Sequence, residues 1–154
     1  MLDNCQSARE RWGGVSEIID RWLQERQDLL VLFCKLSAQK DGNFSSESET
    51  LLRNFCQILV DYVSAGHFEI YEQLVNEGRE FDDQEGLSKA KIHYKTIDST
   101  TELILDFNDK YQETDDLSSL LADLSRLGET LETRFQAEDQ MIEVLHHSHK
   151  DQVI

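Results

Sequence analysis

Apolar residues recur along this chain every three or four positions, in runs long enough for many helical turns. At about 100° per residue each run forms one face of an amphipathic helix. In a first run, Val15, Ile18, Ile19, Trp22, Leu29, Phe33 and Leu36 share a stripe. In a second it is Leu52, Phe55, Cys56, Leu59, Val63, Gly66, Ile70 and Leu74. The third stripe is Ala90, Tyr94, Ile97, Thr101, Ile104, Leu105, Asn108 and Tyr111, more polar than the others, so a partly hydrated interior is expected there. The fourth is Leu117, Leu120, Leu124, Leu127, Leu131, Phe135, Glu138, Ile142 and Leu145.

Punctuation between the runs sets the boundaries. Asp3 or Asn4 can cap a short helix that Trp12-Gly13-Gly14 ends, and Ser16 opens the first long helix, with Glu17 and Asp20 near its positive end. Lys40-Asp41-Gly42-Asn43 reads as a loop, with Ser45 or Ser46 opening the next helix. An acidic loop over 78–86 holds Phe81, Asp82 and Asp83, and Thr114-Asp115-Asp116 makes the last turn and cap. Long helices are thus predicted at about 16–38, 47–77, 87–112 and 116–149. The expected fold is all-α: an antiparallel up-down-up-down four-helix bundle with a short extra N-terminal helix, one domain over 1–154.

Three inward positions break the pattern. Gly66 lies mid-helix on the core side, where it costs about 1 kcal/mol against Ala; close approach of a neighbouring helix or a local kink would account for it. Arg26 and Glu138 are charged where apolar residues are expected. With the first helix antiparallel to the fourth, the two fall level, and pairing is less costly than either charge buried alone. The other arrangement has each side chain reaching to the rim.

The opposite face of the second helix carries Asn54, Gln57, Asp61, Ser64, Ala65, Phe68 and Glu72. Phe68 is a large aromatic among small and acidic residues on the side that should meet water. It is either a scattered surface aromatic or an interface anchor in an acidic rim.

Composition narrows the function classes. The absence of Pro and the scarcity of Gly leave long helices uninterrupted. A net charge of -16 argues against direct binding of nucleic acid or anionic membrane, and favours either a basic partner surface or none. No apolar run is long enough to span a bilayer, and the opening residues do not read as a signal peptide. Cys5, Cys34 and Cys56 are odd in number and widely spaced, which fits a reduced, cytoplasmic protein.

Bundles of this kind can hold two metal ions with paired E-x-x-H motifs. This chain has one, Glu143 to His146, and no second; His67, His93, His147 and His149 do not supply one. His146, His147 and His149 read as helix-end residues opposing the negative dipole. Arg134 stands where a His ligand would be needed, no nucleophile triad or phosphate loop can be assembled, and Asp61 and His67 do not share a helix face. No metal, no cofactor and no catalysis are expected; a metal-binding bundle and an acidic adaptor for another basic partner remain the alternatives.

The run Val60-Asp61-Tyr62-Val63-Ser64-Ala65-Gly66-His67-Phe68-Glu69-Ile70-Tyr71-Glu72 closely resembles the signature of the Rsd/AlgQ family of sigma-factor regulators. Asp20-Arg21-Trp22-Leu23, Phe55-Cys56 and Arg134-Phe135 with Glu138-Asp139 do so as well, and the similarity extends over nearly the whole chain. Arg11-Trp12-Gly13-Gly14, the run from Arg21 to Gln27 and the run from Ile142 to His146 look most like the pseudomonad AlgQ branch, which is linked to alginate and siderophore genes. The loops around Asn43 and Asp82 depart from the enteric members.

The resemblance implies an anti-sigma factor. Its partner would be the basic helix-turn-helix of region 4 of the primary sigma factor, kept from core polymerase and from the promoter -35 element. It implies a contact face on the second long helix carrying Asp61, Ser64 and Phe68; Ala65 and Glu72, which the helix period puts on the same face, are expected to join the contact. Asp61 would pair with an Arg or Lys, and Phe68 would enter an apolar pocket. A monomer is the expectation.

Overall fold

The computed structural model describes residues 2–39, 46–114 and 116–153. It consists of helices α1 (Leu2–Ser37), α2 (Ser46–Ala65), α3 (Tyr71–Glu80), α4 (Gln84–Glu113) and α5 (Leu120–Leu145). A π turn, Gly66–Ile70, joins α2 to α3 without interrupting the rod, and a 3₁₀ turn, His147–Val153, follows α5. Four rods therefore pack as an all-α bundle, α4 against α5, α1 against α2, and the α2–α3 rod against α4.

The periodic stripes are its core. Ile19, Trp22, Leu29 and Leu36 of α1 are buried, as are Leu52, Phe55, Cys56, Leu59, Val63, Gly66, Ile70 and Leu74 of the second rod. From α5 come Leu120, Leu124, Leu127, Leu131, Ile142 and Leu145.

The separate short helix expected at the N-terminus is not there: α1 runs unbroken from Leu2 through Gly13 and Gly14. Nothing crowds either glycine. Trp12, just before them, stacks on His146 (ring centroids 4.3 Å apart) and donates its indole N–H to the His146 carbonyl at 3.1 Å. That anchor, with Val15 and Ile18 on the core, holds the chain straight against a glycine penalty of about 1 kcal/mol each.

The turns differ in detail. Asp82 takes a positive φ of 50° between α3 and α4, and Asp83 caps α4 by accepting from the Gly86 N–H at 2.8 Å. The last rod begins at Leu120 rather than 116 and ends at Leu145, short of 149. The loop expected at 40–43, Ser45 and Asp115 lie outside the described residues. Cys34 and Cys56 are free thiols, and burial pushes the Cys56 thiol up to about 11.

The polar third stripe is modified in detail. Leu105 points outward, 43% exposed, while Thr100 and Phe107 are buried in its stead. The polar groups of α4 receive Arg134, which is 1% exposed: its Nη1 donates to the Ile97 carbonyl at 3.3 Å and to the Thr100 and Thr101 hydroxyls at 3.1 Å each.

The terminal histidines are also not simple helix-end residues. His146 and His149 are buried. His146 Nδ1 sits 2.9 Å from Glu77 of α3, and His149 Nε2 sits 2.8 Å from Asp83 while its ring stacks on Phe81. Only His147 stays outside, 3.0 Å from Glu143. These contacts tie the 3₁₀ turn to the α3–α4 hairpin.

Candidate functional site

The outward face of the second rod is shaped by the π turn. Its i→i+5 geometry, with the Tyr71 N–H donating to the Gly66 carbonyl, inserts one extra residue into a helical turn. Ile70 and Tyr71, at the end of the turn, are both buried. Gly66 is required here: a Cβ would lie 2.9 Å from the Tyr71 hydroxyl and 3.0 Å from Trp22. Both accounts of that glycine, close approach and a local distortion, hold together.

Beneath the turn lies a buried polar network. Trp22 stacks on Tyr62 (4.7 Å, 2° between planes) and donates its indole N–H to the Tyr62 carbonyl at 3.0 Å. The Tyr62 hydroxyl donates to Glu138 at 2.6 Å, and the Tyr71 hydroxyl donates to the other Glu138 oxygen. Arg26 Nε donates to the Tyr62 hydroxyl at 3.0 Å, while its Nη2 lies 3.3 Å from Glu138 and its Nη1 2.6 Å from Asp139. Arg134 reaches Glu138 at 3.4 Å and donates from Nη2 to the Tyr71 hydroxyl at 3.2 Å. One buried carboxylate thus binds two tyrosines and two guanidinium groups from three rods. The Arg26–Glu138 separation is within the about 6 Å at which such groups couple.

Electrostatics follow the geometry. Burial raises the Glu138 carboxyl, against the lowering pull of Arg134, Tyr62, Tyr71 and Arg26. Burial lowers Arg26, but Tyr62, the hydrogen bonds to Asp139 and Tyr62, and Glu138 outweigh it, so Arg26 stays charged. Its guanidinium also lies over the Phe135 ring, 4.6 Å from the centroid.

On the outside, Phe68 is 74% exposed, braced edge-on by His67 at 4.8 Å. Asp61 is exposed and accepts from Gln57 at 3.0 Å; Ser64 and Ala65 are half-buried and Glu72 is exposed. Ser64, His67 and Phe68 border a hollow of about 270 Å³ reaching Leu105 and Thr101 of α4. Ala65 falls on the other flank, in a shallow hollow with Glu25 and Glu69. Glu72 lies one turn on, in a separate groove. Asp61, Ser64, Ala65 and Phe68 therefore make one ridge, with Glu72 at its end.

Glu25, from α1, belongs to this face and was not found from periodicity. Its carboxyl is raised, first by burial and then by repulsion from Asp61 and Glu69, so these acids sit close enough to interact. Arg134 was likewise missed; its place one step off the apolar stripe gave no sign of burial.

Glu143 and His146 diverge, one outward to His147 and the other inward to Glu77. Among the described residues no cluster of His, Cys, Asp and Glu has the arrangement to hold a metal ion. None of the described helices is long and apolar enough to cross a membrane.

A family model described as "Regulator of RNA polymerase sigma(70) subunit, Rsd/AlgQ" matches residues 1–146. Proteins named Regulator of sigma D match as well. That of Yersinia enterocolitica is 36% identical, covering 93% of this chain and 89% of its own. That of Yersinia pseudotuberculosis is 37% identical over 93% and 88%. That of an Enterobacter is 38% identical over 92% and 88%.

Proposed function

This chain is a member of the Rsd/AlgQ family of regulators of the RNA polymerase sigma(70) subunit, and on that premise we propose that it is an anti-sigma factor acting by stoichiometric binding rather than catalysis. The partner surface is region 4 of the primary sigma factor, the basic helix-turn-helix that reads the -35 element. Bound, that surface is kept from core polymerase and DNA, which frees core for alternative sigma factors. The chain works as a single 1–154 unit, a monomer, in the cytoplasm where polymerase works.

The observation that carries this reading is Phe68: a 74% exposed aromatic on a ridge bordered by Asp61, Glu25, Glu69 and Glu72. Aromatic anchors inside a charged rim are the residues that dominate interfaces. Phe68 enters an apolar pocket of the partner, Asp61 meets an Arg or Lys, and half-buried Ser64 and Ala65 let the partner approach the helix closely. A net charge of -16 attracts a basic domain, and the acids around Phe68 meet it on this face.

Titration of the purified chain with isolated region 4 across a salt series tests the proposal. The expected result is one-to-one binding that weakens steeply with salt. Absence of binding at low salt would overturn it.

A further inference from the structure

We propose that the groove between α3 and the first half of α4, which adjoins the Phe68 ridge at His67 and Glu72, is a binding site for a small organic anion with an apolar body. The groove encloses about 540 Å³, within the range of small-molecule sites. Val75, Leu87, Ala90, Tyr94 and Met141 line it with apolar surface, and Arg79 and Lys91 project from its two walls. Both cations are exposed, and neither has an ion-pair partner among the described residues.

The chain carries 31 carboxylates against 15 Lys and Arg. Arg26, Lys89, Lys110 and Arg134 are each engaged by a carboxylate. Arg79 and Lys91 both border the apolar surface of the groove, and Lys95 follows Lys91 one turn along α4. An anion placed between them gains both charges, and its apolar part covers Leu87, Ala90 and Tyr94. Glu72 also borders the groove. It stands two turns from Arg79, about 10 Å at 1.5 Å per residue, so the anionic group lies between Arg79 and Lys91 on the side away from Glu72.

The groove shares two walls with the hollow under Phe68, His67 and Tyr71. His67 lies within the π turn and Tyr71 directly after it, so groove and ridge meet at that turn.

The test uses anilinonaphthalene sulfonate, an aromatic anion whose fluorescence rises in apolar surroundings, with the full chain. Saturable one-to-one binding is expected, with amide shifts at Val75, Leu87 and Tyr94 in the heteronuclear spectrum. The doubly reversed variant Arg79→Glu, Lys91→Glu should bind about tenfold more weakly, since each exposed charge contributes under about 1 kcal/mol. Its melting temperature should be unchanged, because both side chains lie outside the core. Equal binding by the variant, shifts confined to another face, or no saturable binding would each overturn the site. Region 4 takes no part in the titration, so this result stands apart from that of the proposed function.

Discussion

Glu138 is the residue on which the site depends. It is 1% exposed and accepts from Tyr62 and Tyr71 while neutralising Arg26 and Arg134. Replacing it with Ala leaves the buried Arg134 guanidinium without its counter-ion and Arg26 with Asp139 alone, a loss of about 3–5 kcal/mol. Urea unfolding should show it as a lowered midpoint, and a midpoint near wild type would contradict the role given to the network. Glu25 predicts the opposite sign. Its carboxyl is raised by burial and by Asp61 and Glu69, so the folded state favours its protonated form. It therefore destabilises the fold above its folded pKa, and that cost disappears as pH falls below the unfolded value. Glu25→Gln should raise the melting temperature slightly at neutral pH, leave it unchanged in acid, and weaken binding of a basic partner. A variant melting below wild type at neutral pH would contradict this.

At the scale of elements, the π turn links core to surface. Trp22 and Tyr71 close on Gly66 from the inside, with Tyr62 stacked behind Trp22, and Phe68 stands on the outside of the same turn. Gly66→Ala puts a methyl into that contact, and the expected overpacking cost is about 1–3 kcal/mol, against the gain of about 1 kcal/mol that Ala brings to an ordinary helix. Calorimetry should find the variant less stable, and one more stable than wild type would show that the turn has room. The α3–α4 hairpin has its own device in Asp83, whose carboxyl is held low by the Gly86 N–H and by His149. Its stabilising effect is present above the unfolded carboxylate pKa and is lost as pH falls through the lowered folded value. Asp83→Ala should cost about 1 kcal/mol at neutral pH from the lost cap. Thermal melts at neutral and acid pH would read this as a difference that shrinks in acid.

At the scale of the molecule, the charge and the fold were legible in different ways. A strict apolar period placed eight positions of the second rod in the core, all of them buried, because a bundle rod buries one stripe; it passed over Tyr62 and Tyr71, whose hydroxyls are drawn inward by Glu138. Arg26 and Glu138 could be brought level because antiparallel rods fix the register. The unbroken α1 could not be read, since Gly13 and Gly14 are tolerated only through the docking of Trp12 on His146, a contact between distant parts of the chain. Arg134, Glu25 and the buried histidines were hidden for the same reason. Each is charged or titratable, and only its partners on other rods account for its place. The outward ridge was legible because exposure, unlike pairing, follows from the rod's own period; its π turn was not, beyond the misplaced glycine.

The central claim is that Phe68, on its acidic ridge, is the anchor for region 4 of the primary sigma factor. Calorimetric titration of region 4 with wild-type protein and with Phe68→Ala, at one salt concentration, tests it most directly. Phe68 is 74% exposed, so the variant should fold as the wild type does. Binding should weaken by about 2 kcal/mol or more, roughly thirtyfold. Wild-type affinity in a folded Phe68→Ala variant would contradict the ridge as the contact face.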